Sequence, residues 1–588
     1  MTIVKISDVG KGLNADLTPE ELQMGVWSDA RNMRFANGYA QRFNGLAPIF
    51  AAPVVEPYYI TAFQKPNKRL WIHAGTERVF SDDESVRTEI TRLAEITIST
   101  LTHVTTTATL KTSAAHGLTT GNSVTIYGAY PLQYNGTFTI TVTAPDTFTF
   151  TMASDPGADA SALGHLTGPS AATANFTGTR DDRWTGGVLA GIQVLNNGVD
   201  VPQYWTGDAN KLRTLPGWNA GWTAASLRPW KNYLIALDIT KSGVRNPHMI
   251  KWSVAAVPGS IPDPWDETDV TRDAGELPVS DTADLLVDAL PMGDVLIIYK
   301  ERSMYALRFI GAPYIFQLQR IPGDSGMLFR GCAVSTPLGH VVLTAGDVVL
   351  NNGQGAESIA DGQIRDYIFR NLDSSNYKKA FVTSNPQKNE ALICFPFVGS
   401  TNCDKAAVWN WKEKTWGLRD LSNVTYGATG QIAATSFTTW AGDSESWDLD
   451  TSTWNEDPYS PNQARLLLTQ TNRIAGFDIS AGDDGVTGLT GSLTRTGVSL
   501  DNAQAMKIVR GVYPRVDAPT GSVMTVEVGS SMTPDSPAVW SAPASFVVGQ
   551  DIKADTFANG RFLSFRFACS KPWRMRAFDI DVDYAGLY

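Results

Sequence analysis

Apolar residues recur in this chain with a period of two. In Thr137-Phe138-Thr139-Ile140-Thr141-Val142-Thr143 every odd position is threonine and every even one is apolar. Ala144-Pro145-Asp146 supplies a turn, and Thr147-Phe148-Thr149-Phe150-Thr151-Met152 resumes the alternation. That spacing puts the apolar side chains on one face of a β-strand and the hydroxyls on the other, and it does not fit a helix. Short strands with turns between them recur along most of the 588 residues. The chain is therefore expected to be all-β.

The clearest meander is 379–420. Ala380 to Thr383 reads as a strand, Asn385 to Asn389 as a turn, and Ala391 to Phe397 as the next strand. Ala406 to Trp411 and Thr415 to Leu418 follow, parted by Lys412-Glu413-Lys414. Four strands in about forty residues is the size of one propeller blade. Residues 294–319 and 57–81 give similar sets. No WD or Kelch repeat unites them, so the expected architecture is an irregular β-propeller. The Thr-rich block differs in composition from both flanks and reads as a small inserted β-sandwich module. The last stretch alternates again, in Ser522 to Gly529, Arg561 to Ala568 and Arg574 to Tyr584, and reads as a C-terminal β-sandwich. The expected division is 1–94 (N-terminal arm and first propeller strands), 95–168 (inserted module), 169–465 (remaining propeller) and 466–588 (C-terminal sandwich). One short helix is expected at Pro19 to Met24, with Thr18 as N-cap and Glu21 three residues on. Asn37-Gly38 and Asn44-Gly45 suit type I′ hairpin turns.

Composition excludes several function classes. Hydrophobic residues make up 43% and charged residues 18%, too few charges for a disordered chain. The net charge of −11 is the wrong sign for a protein that grips phosphates. Cys332, Cys394, Cys403 and Cys569 show no CxxC spacing, so buried reduced thiols are expected. No apolar run reaches the ~18 residues of a membrane span, and residues 1–8 lack the apolar core of an export signal.

Chemistry-bearing patterns are sparse. His73, His103, His116, His165, His248 and His340 form no HxH or HxxxH pair. There is no GxSxG and no phosphate-binding loop. Asp579, Asp581 and Asp583 share one strand face by alternation. The ordinary reading is a solvated face, and the sharper one is the carboxylate pair of a glycosidase or lyase. Asp448-Leu449-Asp450 and Asp483-Asp484-Gly485 are similar, without the spacing of a calcium loop. Trp265, Trp409, Trp411, Trp416, Trp440, Trp447 and Trp454 are read as core fillers, with a sugar-stacking surface as the other reading.

The most distinctive run lies near the start: Gly10-Lys11-Gly12-Leu13-Asn14, Leu17 to Leu22, Gly25-Val26-Trp27-Ser28-Asp29-Ala30-Arg31-Asn32-Met33-Arg34-Phe35, then Asn37-Gly38-Tyr39-Ala40. It resembles the opening of the tail nozzle (tubular tail protein B, or hub) of short-tailed bacteriophages. Trp252-Ser253, Pro262-Asp263-Pro264-Trp265, Ile298-Tyr299-Lys300-Glu301 and Gly560 to Phe565 resemble later parts of the same proteins. His116 to Val124 resembles a small β module of phage structural proteins.

The resemblance implies a hexameric ring in the virion tail, beneath the portal and adaptor (the head-to-tail connector), bearing tail fibres or spikes. It retains packaged double-stranded DNA and conducts it during genome ejection. Such a chain is made in the host cytoplasm, does not catalyse, and carries no cofactor or metal site. The resemblance names no channel-lining residue. An acidic lumen would repel phosphates, so that the duplex slides. The alternative is a propeller-based host-receptor or carbohydrate-binding tail protein.

Overall fold

A computed structural model describes residues 2–65, 68–83, 86–261, 265–269, 271–432, 464–483, 487–500, 502–534 and 536–587. The chain is all-β, of the irregular propeller class, with an inserted small β-sandwich and a C-terminal β-sandwich. By internal contact it divides into two units, residues 63–326 and residues 1–62 with 327–588. The N-terminal arm belongs with the C-terminal half, because it forms strands in the same sheet.

In the unit 63–326, four-stranded antiparallel sheets follow one another in chain order. One is Thr185–Leu189, Ile192–Asn196, Gln203–Trp205 and Arg213–Thr214. The next is Thr223–Trp230, Tyr233–Lys241, Val244–Trp252 and Gly275–Pro278, and then Leu286–Met292, Val295–Lys300, Met304–Phe309 and Phe316–Ile321. They stack through their apolar faces. Leu189, Val194 and Leu215 meet Leu227, Leu234 and Trp265 in one core, and Ile235 and Leu237 meet Leu296 and Ile298 in the next.

The inserted module has two sheets. One holds Ile98–Val104, Thr107–Thr112, Thr147–Thr151 and Thr141–Ala144, and the other holds Gly136–Thr139, Ser123–Tyr130 and Ala162–Thr167. The threonine alternation is not one strand. It breaks at Ile140, which is buried, and its two halves join different sheets. A sandwich corner needs a strand to change layers, and the alternating pattern runs through that corner unchanged.

In the other unit, the expected meander at 379–420 is present as Phe381–Asn385, Glu390–Phe395, Cys403–Asn410 and Thr415–Gly430. Its last strand runs on to pair with Arg465–Gln470. The C-terminal sandwich faces Phe565 and Phe567 against Phe578, with ring centroids 5.4 and 5.0 Å apart. Its outer strand comes from the other end of the chain, since Thr2–Ser7 pairs antiparallel with Arg574–Leu587, Ile6 opposite Phe578.

Two local expectations are corrected. Pro19 to Met24 forms turns, not a helix. Buried Arg495 donates to the carbonyls of Pro19 and Leu22 at 2.8 and 2.9 Å, taking acceptors that a helix would have used internally. Asn44-Gly45 is not a hairpin. Gly45 opens the strand Gly45–Pro48, and a Cβ there would stand 2.2 Å from the Gly482 backbone. Asn37-Gly38 does make its turn, with φ of 53° and 76° between paired Ala36 and Tyr39. Among the described residues the α-helix is Arg365–Asn371, and the Asp16 carboxylate accepts from the amides of Asp366 and Tyr367 in its first turn, at 3.1 Å each. No helix among the described residues is long and apolar enough to cross a membrane.

Candidate functional site

The distinctive N-terminal run folds into three short strands, Asp29–Arg31, Met33–Ala36 and Tyr39–Arg42. Between the first two, Asn32 adopts the left-handed conformation at φ 55°, which asparagine tolerates better than most residues. The bend turns its amide inward. Asn32 Oδ1 accepts from the Asp420 amide at 2.8 Å and from Arg419 Nη1 at 3.2 Å, while Nδ2 donates to the Thr490 carbonyl at 2.9 Å.

Arg34 lies two residues on, buried. Its Nε sits 2.9 Å from Glu390 Oε1 and its Nη1 2.6 Å from Asp478 Oδ2, with the guanidinium 4.3 Å over the Phe43 ring. Burial pushes the Glu390 carboxyl up to about 7, against the pull of Arg34. Arg419, fully buried, donates to Asp483 Oδ1 at 2.7 Å. Arg42 is buried and donates to the carbonyls of Leu489 (2.7 Å) and Ala481 (2.6 Å). Arg31 and Lys405 both pair with Asp420. Trp27 donates from Nε1 to the Val9 carbonyl at 2.8 Å and packs on Phe567 and Phe578.

This network is closed to solvent at Arg34, Arg42, Arg419 and Glu390. A charge buried in this way is stable only while its partners stay in place, so the network fixes the relative positions of strands from residues 29–42, 390–420 and 473–483. Sequence reasoning found the run but not these partners. The available signal was Glu390 and Asp478, single carboxylates at the ends of apolar strand runs.

The carboxylate stripe is where alternation puts it, but it is not a solvated face. Phe578, Ile580 and Val582 point into the sandwich, while Asp579 and Asp581, on the opposite side, are only 8% and 1% exposed. Arg515 Nη2 holds Asp579 at 2.5 Å. Asp581 stands opposite Gly511, where a Cβ would come 2.7 Å from the Lys553 side chain. The missing side chain lets the lysine stem lie across the strand. Asp583 pairs with Arg510 at 2.9 Å.

Trp265, Trp409, Trp411 and Trp416 are all buried, packed as core rings. Trp416 also donates to the Ile359 carbonyl at 2.9 Å. Trp440, Trp447, Trp454, Asp448, Asp450, Asp484, Gly485 and Pro262 to Pro264 lie outside the described residues. His73 meets Asp82 at 2.8 Å, His103 meets Asp159 at 2.9 Å, and His165 meets Glu95 at 2.8 Å. All four cysteines are free and buried. Among the described residues, no group of three or more His, Cys, Asp or Glu is placed to hold a metal ion. An open groove beside the helix is lined by Leu328, Phe369, Leu372 and Tyr377, with Arg365 and Asp366 at its edge.

No family profile and no curated protein matches the sequence. Among solved structures the chain is similar to KlHsv2 with one loop replaced by a Gly-Ser linker, at 11% identity and TM-score 0.25, over 52% of this chain and 89% of that one. It is similar to a point mutant of Synechocystis apocarotenoid oxygenase at 10% identity and TM-score 0.25, over 64% and 87%. It is also similar to the AfRom2 CNH domain at 6% identity and TM-score 0.22, over 74% and 98%. Likenesses at this level carry no argument about what the chain does.

Proposed function

We propose that this protein is a non-catalytic structural component of a virion: the tail nozzle of a short-tailed bacteriophage. It forms a hexameric ring below the portal and adaptor, retains packaged double-stranded DNA and conducts it at ejection. The observation that carries the reading is the N-terminal run with nozzle-like sequence, Trp27 to Phe35. Its Trp27, Asn32 and Arg34 are buried tie points of a framework, not groups presented to a substrate. A part that must hold its shape under internal pressure needs such ties.

The charge balance supports the same reading. Each chain carries −11, and a ring multiplies that. Acidic walls repel phosphates over about a Debye length, ~8 Å at physiological salt, so duplex DNA would pass without binding. The carbohydrate-binding alternative loses the four described tryptophans it would have used, because they are buried.

Purified protein mixed with the cognate adaptor complex and imaged by electron microscopy tests the proposal. A six-fold ring stacked on the adaptor is expected. A chain that stays monomeric with adaptor present, or a ring whose passage is lined by unpaired lysines and arginines, overturns it.

A further inference from the structure

We propose that the inserted module is an arm that undocks from its unit as a rigid body, pivoting on a two-stranded stalk, with the Glu95 carboxylate as its latch.

The module needs nothing outside itself for a core. Its buried cluster, which includes Leu101, Leu110, Val124, Phe148, Phe150 and Leu166, draws every member from residues between 96 and 166. The two connecting segments pair with each other. Ile96 donates to the Leu166 carbonyl at 2.8 Å, Ala94 to Ala172 at 2.8 Å, and Ala174 to Arg92 at 2.9 Å. The foot of this stalk is anchored, since Arg92 bonds Asp200 at 2.9 Å and stacks over Phe176 at 4.6 Å.

The module meets the neighbouring sheet through a polar cluster at Glu95, with the Tyr127 ring and Gly128 beside it. Glu95 Oε1 accepts from Thr214 Oγ1, on that sheet, at 2.7 Å. The same carboxylate takes the Tyr127 hydroxyl and His165 Nδ1, both of the module, the latter at 2.8 Å. His165 stacks on Tyr127 with centroids 5.2 Å apart. Arg213 lies 5.0 Å from the centroid of the Tyr127 ring, and Gly128 lies against Pro216, where a Cβ would be 3.2 Å away. One carboxylate thus fastens stalk, module and sheet together. Burial works against its charge, but the hydrogen bond and electrostatic attraction of His165, then the hydrogen bonds of Tyr127 and Thr214, hold its carboxyl down to about 2. A self-contained core behind a polar contact is the arrangement in which relative motion is the default.

Hydroxyl-radical footprinting of the full chain tests this, comparing wild type with Glu95→Gln and Thr214→Val. Tyr127 and Pro216, buried when the module is docked, should oxidise severalfold faster in both variants. Phe148, Phe150 and Met152 of the module core should keep their wild-type rates. Thr214→Val leaves every bond inside the module in place, so it reports undocking even if Glu95→Gln disturbs folding. Unchanged rates at Tyr127 and Pro216 in Thr214→Val would overturn the latch. Core phenylalanines that oxidise in step with Tyr127 would overturn the rigid arm.

Discussion

Arg34 and Glu390 stand 356 positions apart in the chain and meet at 2.9 Å inside the core. Asp478 takes another edge of the same guanidinium, so one side chain fastens three distant strands. The charge on Glu390 is nonetheless costly, because its carboxyl rises from the ordinary value near 4.5 to about 7. A carboxyl that holds its proton more tightly when folded favours the folded state at low pH. Its contribution is complete below 4.5 and is lost as pH rises through 7. The amplitude is on the order of 3 kcal/mol. Urea denaturation between pH 4.5 and 7.5 should show that decline, and Glu390→Gln should flatten it. An equal slope in the variant would show that another group is responsible.

Glu95 has the opposite sign. Its carboxyl is held down from 4.5 to about 2, so it contributes stability above 4.5 that is lost as pH falls toward 2. Glu95 lies at the surface, where solvent screens its partners, so the amplitude is on the order of 1 kcal/mol. Glu95→Gln should be less stable than wild type at pH 6, with the gap closing by pH 2.5. A gap that persists in acid would mean that the carboxylate charge is not what stabilises the contact.

Asn32 combines a left-handed backbone with hydrogen bonds on both ends of its amide. Asn32→Ala loses those bonds and keeps the strained φ, and should cost about 3 kcal/mol. Asn32→Gly relieves the backbone alone and should recover about 1 kcal/mol of that loss. Thermal melts of the two variants measure the difference. Equal melting temperatures would remove the backbone part of the account.

Deleting residues 1–7 should uncover one side of the strand Arg574–Leu587, which Thr2–Ser7 covers from Val582 to Ala577. A bare strand edge is a template for other chains, and the sandwich also loses buried Ile6. Size-exclusion chromatography should show self-association, with a lower urea midpoint. A monomeric deletion variant of unchanged stability would show that the strand is dispensable.

The local terms follow from adjacent residues. Alternation at Thr137 to Thr143 and at Arg574 to Tyr584 dictated strands, and Asn37-Gly38 dictated its hairpin, because pleat and turn dihedrals are properties of a few adjacent residues. The size of a blade was legible at 379–420 for the same reason. Tertiary packing settled what depends on residues outside any local window, some of them hundreds of positions apart. It split the threonine run at Ile140 between two sheets, denied Pro19 to Met24 a helix by giving its carbonyls to Arg495, and buried Asp581 beneath Lys553. It also joined the first strand to the last and placed Glu390 and Asp478 around Arg34. Periodicity records which way a side chain points, but burial and charge pairing are set by whatever packs against it, and no window of adjacent residues contains that information.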